Sequence, residues 1–141
     1  MKHSHILSAT RRRGQRGSSI LESALCFTVL LMIVFGTIDF GRLVYAFNFV
    51  SFGAREGARY AIAHGNSSLH PATTSDVRTA VTGKAVGFDP GALTVTTTWS
   101  PNENAGSTVS VQVQYAFNSI VPYFPVSPLN VTSTSKMMIS Q

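Results

Sequence analysis

The carboxylate of Glu22 is the only side chain charged at neutral pH between Ser19 and Ile38. It stands five residues after Gly17, behind the cations Arg11, Arg12, Arg13 and Arg16. A carboxylate in a run of apolar residues is expensive wherever that run meets lipid, and pairing with a cation lowers the cost. Its type and position therefore point to charge pairing in an apolar medium rather than to packing. The other candidates for chemistry are poor. His64 and His70 lie in or beside a loop without a ligand cluster, and His3 and His5 lie in the basic N-terminal segment. The serines sit in no motif that would activate a nucleophile, and there is no glycine-rich phosphate loop. Neither an enzyme nor a metal or cofactor site is expected. Cys26 is the single cysteine, so no internal disulfide can form, and it reads as a small apolar filler.

The element that carries Glu22 is a helix. The twenty residues from Ser19 to Ile38 would rise roughly 30 Å, the thickness of the bilayer hydrocarbon. A cleaved secretory signal would have a shorter apolar core followed promptly by a small-x-small site. Here the nearest such triplet, Ala61-Ile62-Ala63, lies far beyond the apolar run. The formal net charge is +5, and Lys2, Arg11, Arg12, Arg13 and Arg16 account for that excess. After Gly17, the basic residues Arg42, Arg55, Arg59, Arg78, Lys84 and Lys136 balance the acidic Glu22, Asp39, Glu56, Asp76, Asp89 and Glu103. The basic charge is thus a leader rather than a nucleic-acid-binding face, and the positive-inside rule keeps it cytoplasmic with the rest of the chain on the far side.

Beyond Ile38 the helical period continues. Phe40, Val44, Phe47, Val50, Ala54, Ala58 and Ala61 form an apolar stripe, with Asp39, Arg42, Arg55, Glu56 and Arg59 elsewhere on the wheel. One helix from about Ser19 to His64 is expected. Gly53, Gly57 and Ala61 repeat at four-residue spacing, which calls for a close neighbour, in the first instance within the chain. Glu56 and Arg59 are placed for an i,i+3 pair. Thr74 or Ser75 can cap a second helix over 74–86, ended by Gly87. Two-residue alternation marks strands at about 92–100, 108–117 and 129–139, with the turn-forming PNENAGS between the first two. The predicted fold class is α+β: a long N-terminal helix, transmembrane then amphipathic, a short second helix, and a small three-stranded antiparallel sheet of type IV pilin-like architecture.

The stretch RGSSILESALCFTVLLMIVFGTIDFGRLVYAFNFVSFGAREGARYA, from Arg16 to about Ala63, resembles the N-terminal module of TadE-like proteins of the tight-adherence (Flp) pilus system. The resemblance rests on a glycine before a short stretch ending in glutamate, an apolar helix, the Asp39-Phe40-Gly41-Arg42 junction, and the signature Ala54-Arg55-Glu56-Gly57-Ala58-Arg59. It implies a minor pilin-like subunit, or pseudopilin, cut by a prepilin peptidase between Gly17 and Ser18, with Glu22 as the fifth mature residue pairing with a neighbour's new N-terminal amine. The implied partners are that peptidase, other pilin or pseudopilin subunits, the inner-membrane assembly platform and the lipid bilayer. The implied location is the bacterial inner membrane or the pilus itself. The expected organisation is a leader over 1–17, a transmembrane helix over 18–38, a stalk over 39–64 and an extracytoplasmic globular part over 65–141. Ser23 follows Glu22 where major Flp pilins carry an aromatic residue, which argues against the major fibre subunit. Two other readings stand beside this one: an uncleaved single-pass scaffold and a membrane-tethered hydrolase. The latter would need a cleft of perturbed titratable groups.

Overall fold

The structure, a computed structural model, describes residues 13–66, 68–120 and 128–140, and the side chains from Gly17 onward. Helix α1 (Arg13–Ala63) is followed by α2 (Thr74–Thr82), a single 3-10 turn (Pro90–Ala92), and strands β1 (Leu93–Ser100), β2 (Thr108–Phe117) and β3 (Leu129–Met138). The chain divides into two units that meet between Ile38 and Asp39. The fold class is therefore the one expected, α+β with a long apolar N-terminal helix, a short second helix and an antiparallel sheet.

In the first unit α1 is mostly apolar from Ile20 onward, with those residues exposed, and the helix is long and apolar enough to cross a membrane. Three of its hydroxyl side chains turn back on the helix. Ser23, Thr28 and Thr37 each donate to the carbonyl four residues earlier, at 2.8 Å. These bonds satisfy hydroxyls that lipid could not.

The second unit is built on the sheet, ordered β1-β2-β3 and antiparallel throughout, with Val95 opposite Val113 and Tyr115 opposite Val131. Side chains alternate across a sheet, so Val109, Val111 and Val113 on the central strand all point to one face and are fully buried. Thr94, Thr96, Gln112, Thr132 and Thr134 point the other way and are exposed. The apolar face is covered by the second half of α1 and by α2. Gly53 and Gly57 set the distance. A β-carbon at Gly57 would lie 2.9 Å from Val111 Cγ1 and 3.0 Å from Val81 Cγ2, and one at Gly53 would lie 3.1 Å from Val81 Cγ1. The small-residue repeat therefore serves packing inside the chain.

Three expectations need correction here. The buried face of α1 follows Ala46, Phe49, Val50, Ala54, Ala58 and Ala61, whereas Phe40, Val44 and Phe47 are exposed. The stripe is right from Val50 onward and wrong before it, because the sheet and α2 cover the neighbouring strip of the helix. Helix α2 is shorter than expected and is capped by Thr73, not Thr74 or Ser75. Thr73 forms a capping box with Asp76, and the helix closes at Gly83. Gly87 instead takes a left-handed φ of 78° in the turn beyond. That turn brings Phe88 into contact with Phe49 (ring centroids 4.4 Å) and Tyr115 (4.9 Å).

Candidate functional site

The N-terminal candidates are carried by the first turns of α1. Arg11 and Arg12 lie outside the described residues, while Arg13 and Arg16 fall in the helix. Gly17 is helical too, with no atom within 4 Å of the position a β-carbon would take. Ser18 and Glu22 are exposed. Glu22 lines an open groove with Ser19, Ser23, Cys26, Phe27 and Leu30, and among the described residues no hydrogen bond or ion pair reaches its carboxylate. A carboxylate so placed can receive a cation from outside the chain.

The stalk candidates divide by what they touch. Ala54 and Ala58 are fully buried, and Gly57 meets the valines of α2 and β2. Arg55 and Arg59 are exposed. Glu56 does not form its direct ion pair with Arg59. Lys84, in the turn after α2, donates a hydrogen bond to Glu56 Oε1 and closes a salt bridge with it. That hydrogen bond and the lysine's charge hold the Glu56 carboxyl below its ordinary pKa, with a smaller contribution from the charge of Arg59. Gly41 is open on the helix surface.

Asp39 is also corrected. Expected on the polar side of the wheel, it is buried at 8% exposure. Its carboxylate accepts a hydrogen bond from Arg42 Nη1 at 2.9 Å, from Ser119 Oγ at 2.6 Å and from the Ile120 backbone N–H at 2.9 Å. The Arg42 guanidinium also stacks over the Phe117 ring at 5.2 Å. Asp39 thus ties the start of the second unit to the chain leaving β2, and the arginine and two hydrogen-bond donors offset the cost of its burial. Neither Lys84 nor the Ser119-Ile120 turn stood out in the sequence. Their roles arise from distances across 28 and 81 positions.

Among the described residues no three His, Cys, Asp or Glu side chains gather as a metal site would require. A cleft at the β1–β2 loop is lined by Trp99, Asn66, Asn102, Glu103 and Asn104. Its amides are taken up by one another and by the loop: Asn66 donates to Asn104 at 2.9 Å, and Asn102 Oδ1 accepts from Ser107 at 2.6 Å. That network holds a loop and arranges no nucleophile beside a base.

No curated protein and no solved structure matches the chain. A family model, TadE-like protein, matches residues 17–59, beginning at the glycine before Glu22 and ending at the last arginine of the stalk signature. Through this α1 segment the chain is similar to TadE-like proteins, a Tad pilus-related membrane family, and its long apolar helix is suited to serve as the membrane anchor.

Proposed function

We propose that the chain is a pseudopilin, a minor pilin-like subunit for assembly of a tight-adherence pilus, with a structural rather than a catalytic role. The observation that carries this reading is the exposed Glu22, without a partner among the described residues, on an apolar helix five residues after the glycine at which the family match begins. In this reading a prepilin peptidase cuts between Gly17 and Ser18 at the cytoplasmic surface, where Arg11, Arg12, Arg13 and Arg16 hold the leader. Glu22 then pairs in the membrane with the N-terminal amine of an adjacent pilin or pseudopilin, which lowers the cost of both charges in lipid. Residues 18–38 are the transmembrane part, 39–64 the stalk and 65–141 the extracytoplasmic part, and the inner-membrane assembly platform is among the partners.

Helical backbone runs through Gly17 back to Arg13, so cleavage requires these first turns to open. Glycine, about 1 kcal/mol worse than alanine in a helix, makes that opening cheaper. The same continuity favours a second reading, an uncleaved single-pass scaffold. The N-terminal sequence and intact mass of the protein from its host's membranes separate the two: a start at Ser18 supports the pseudopilin, and an intact leader selects the scaffold.

A further inference from the structure

The cleft beside the β1–β2 loop lies wholly within the second unit, about 500 Å³ in volume and open to solvent. That volume is within the range of small-molecule sites, about 300–1,000 Å³. Trp99 stands opposite Val109 on the face of the sheet that carries the core, so its half-buried ring packs against that core and also lines the cleft. The indole N–H of a buried tryptophan usually finds a hydrogen-bond partner. That of Trp99 has none among the described residues.

The bonds that hold the loop leave more groups without partners. Asn102 Oδ1 accepts the backbone N–H of Asn104 at 3.0 Å and the Ser107 hydroxyl at 2.6 Å, so the oxygen of this amide is engaged and its NH2 is not. Asn104 Oδ1 accepts from Asn66 Nδ2 at 2.9 Å, and its NH2 is likewise left over. Glu103 is tied in through its backbone, whose carbonyl accepts the Asn66 N–H at 3.3 Å. No hydrogen bond or ion pair among the described residues reaches its carboxylate. The frame itself is fixed: Gly106 N–H donates to the Ile139 carbonyl and Ile139 N–H to the Ser107 carbonyl, both at 2.8 Å. A site already ordered in this way loses little further freedom when a ligand arrives.

These groups select among ligand chemistries. An anion would meet the Glu103 carboxylate and, among the described residues of the lining, no cation. A cation suits the carboxylate and the indole face but offers no acceptor to the N–H groups of Trp99, Asn102 and Asn104. An apolar ligand leaves all of them unpaired. A hydroxyl both donates and accepts. Neighbouring hydroxyls on one ring therefore satisfy amide and carboxylate together, while the ring's C–H face covers the indole. We propose that this cleft binds neutral pyranose sugars, the C–H face on Trp99, the hydroxyls accepting from Asn102 and Asn104 and donating to Glu103. The inference adds a binding activity to the assembly role and depends neither on cleavage at Gly17 nor on the membrane reading of α1.

The test uses the full chain in a polyoxyethylene detergent, which carries neither a sugar nor an ammonium headgroup. Trp99 is the only tryptophan, so its emission reports on the cleft directly. The probes are the methyl glycosides of glucose, galactose and N-acetylglucosamine, with methyl glucuronide and tetramethylammonium as the anionic and cationic comparisons. A saturable change of emission with at least one neutral glycoside, and with neither charged probe, is the expected result. Glu103→Ala removes an exposed side chain and leaves the backbone bonds of the loop in place. It should weaken the binding at least about tenfold, as loss of a hydrogen bond to a charged group does. Circular dichroism confirms that the variant is folded. Absence of a saturable response to all three glycosides overturns the proposal. So does a response to either charged probe equal to theirs, and so does sugar binding that Glu103→Ala leaves unchanged, which would place the sugar elsewhere on the chain.

Discussion

The carboxylate of Asp39 accepts the backbone N–H of Ile120 at 2.9 Å, a bond between the first residue of the second unit and the chain that has just left β2. Ser119 Oγ adds a bond at 2.6 Å and Arg42 an ion pair at 2.9 Å. Hydrogen bonds to an ionised group contribute about 1.5–3 kcal/mol net. Because Ile120 is exposed and can find water once released, Asp39→Ala should cost about 2 kcal/mol, near the lower part of that range. Asp39→Asn keeps an acceptor and should cost less. Urea unfolding of the full chain in detergent, followed by Trp99 fluorescence, measures both. Equal stability of wild type and Asp39→Ala would remove the clamp from the account of the fold.

Gly57 and Gly41 make a paired test on one helix. Each gains about 1 kcal/mol of helix propensity when replaced by alanine. At Gly41 nothing stands within 4 Å of the new methyl, so Gly41→Ala should stabilise the chain. At Gly57 the methyl would lie 2.9 Å from Val111 Cγ1 and 3.0 Å from Val81 Cγ2. Overpacking of that kind costs about 1–3 kcal/mol, enough to cancel or reverse the gain. Gly57→Ala in a Val111→Ala background should lose less stability than the two single changes summed. Strict additivity would show that the contact is not tight.

The parts of this arrangement set by local period were legible in the residues. The alternation of Val109, Val111 and Val113 with Ser110, Gln112 and Gln114 marks a central strand with one apolar face, and the unbroken run after Glu22 marks a helix long and apolar enough to cross a membrane. Which strip of α1 is buried depends on where α2 and the sheet lie, and no period within the helix encodes that; hence the exposure of Phe40, Val44 and Phe47. The donors to Asp39 include a backbone N–H, a group that every residue but proline carries and no sequence pattern announces. Lys84 could be matched to Glu56 only once α2 was folded against the stalk. The Thr73 cap was a different kind of miss, because Thr73-Thr74-Ser75-Asp76 has the spacing of a capping box and could have been read directly.

Acid should loosen the second unit through Glu56 and Asp76. Lys84 holds the Glu56 carboxyl below its ordinary pKa of 4.5. The Thr73 hydroxyl and backbone N–H hold that of Asp76 below 3.8. A carboxyl whose pKa is depressed by folding contributes stability that is full above the unfolded value and is lost as pH falls through the folded value. Stability should therefore be insensitive to these groups near neutrality and decline as pH falls below about 4.5. The double variant Glu56→Gln, Asp76→Asn should be less stable at neutral pH and show a shallower acid slope. High salt should weaken the Glu56–Lys84 part, because the pair is solvent-accessible. Parallel acid curves for wild type and the double variant would exclude both residues as its source.

In the proposed pseudopilin reading, Gly17 and Glu22 separate processing from assembly. Gly17→Leu places a bulky side chain where the peptidase must take hold of an opened backbone, so the leader should remain while the protein still reaches the membrane. Normal maturation of that variant would remove the processing argument. Glu22→Ala acts in the other direction. A charged residue at the centre of a membrane helix costs about 3 kcal/mol on insertion scales and less near its end. Removing this one makes insertion easier, and poor insertion then cannot explain a defect. Glu22→Ala should accordingly be inserted and cut as the wild type is, yet support few or no pili, because the neighbour's amine is left without its counter-charge. Wild-type pilus output from cells carrying only Glu22→Ala would mean that the pairing does not operate. The carboxylate would then reduce to an interfacial residue on an ordinary anchor.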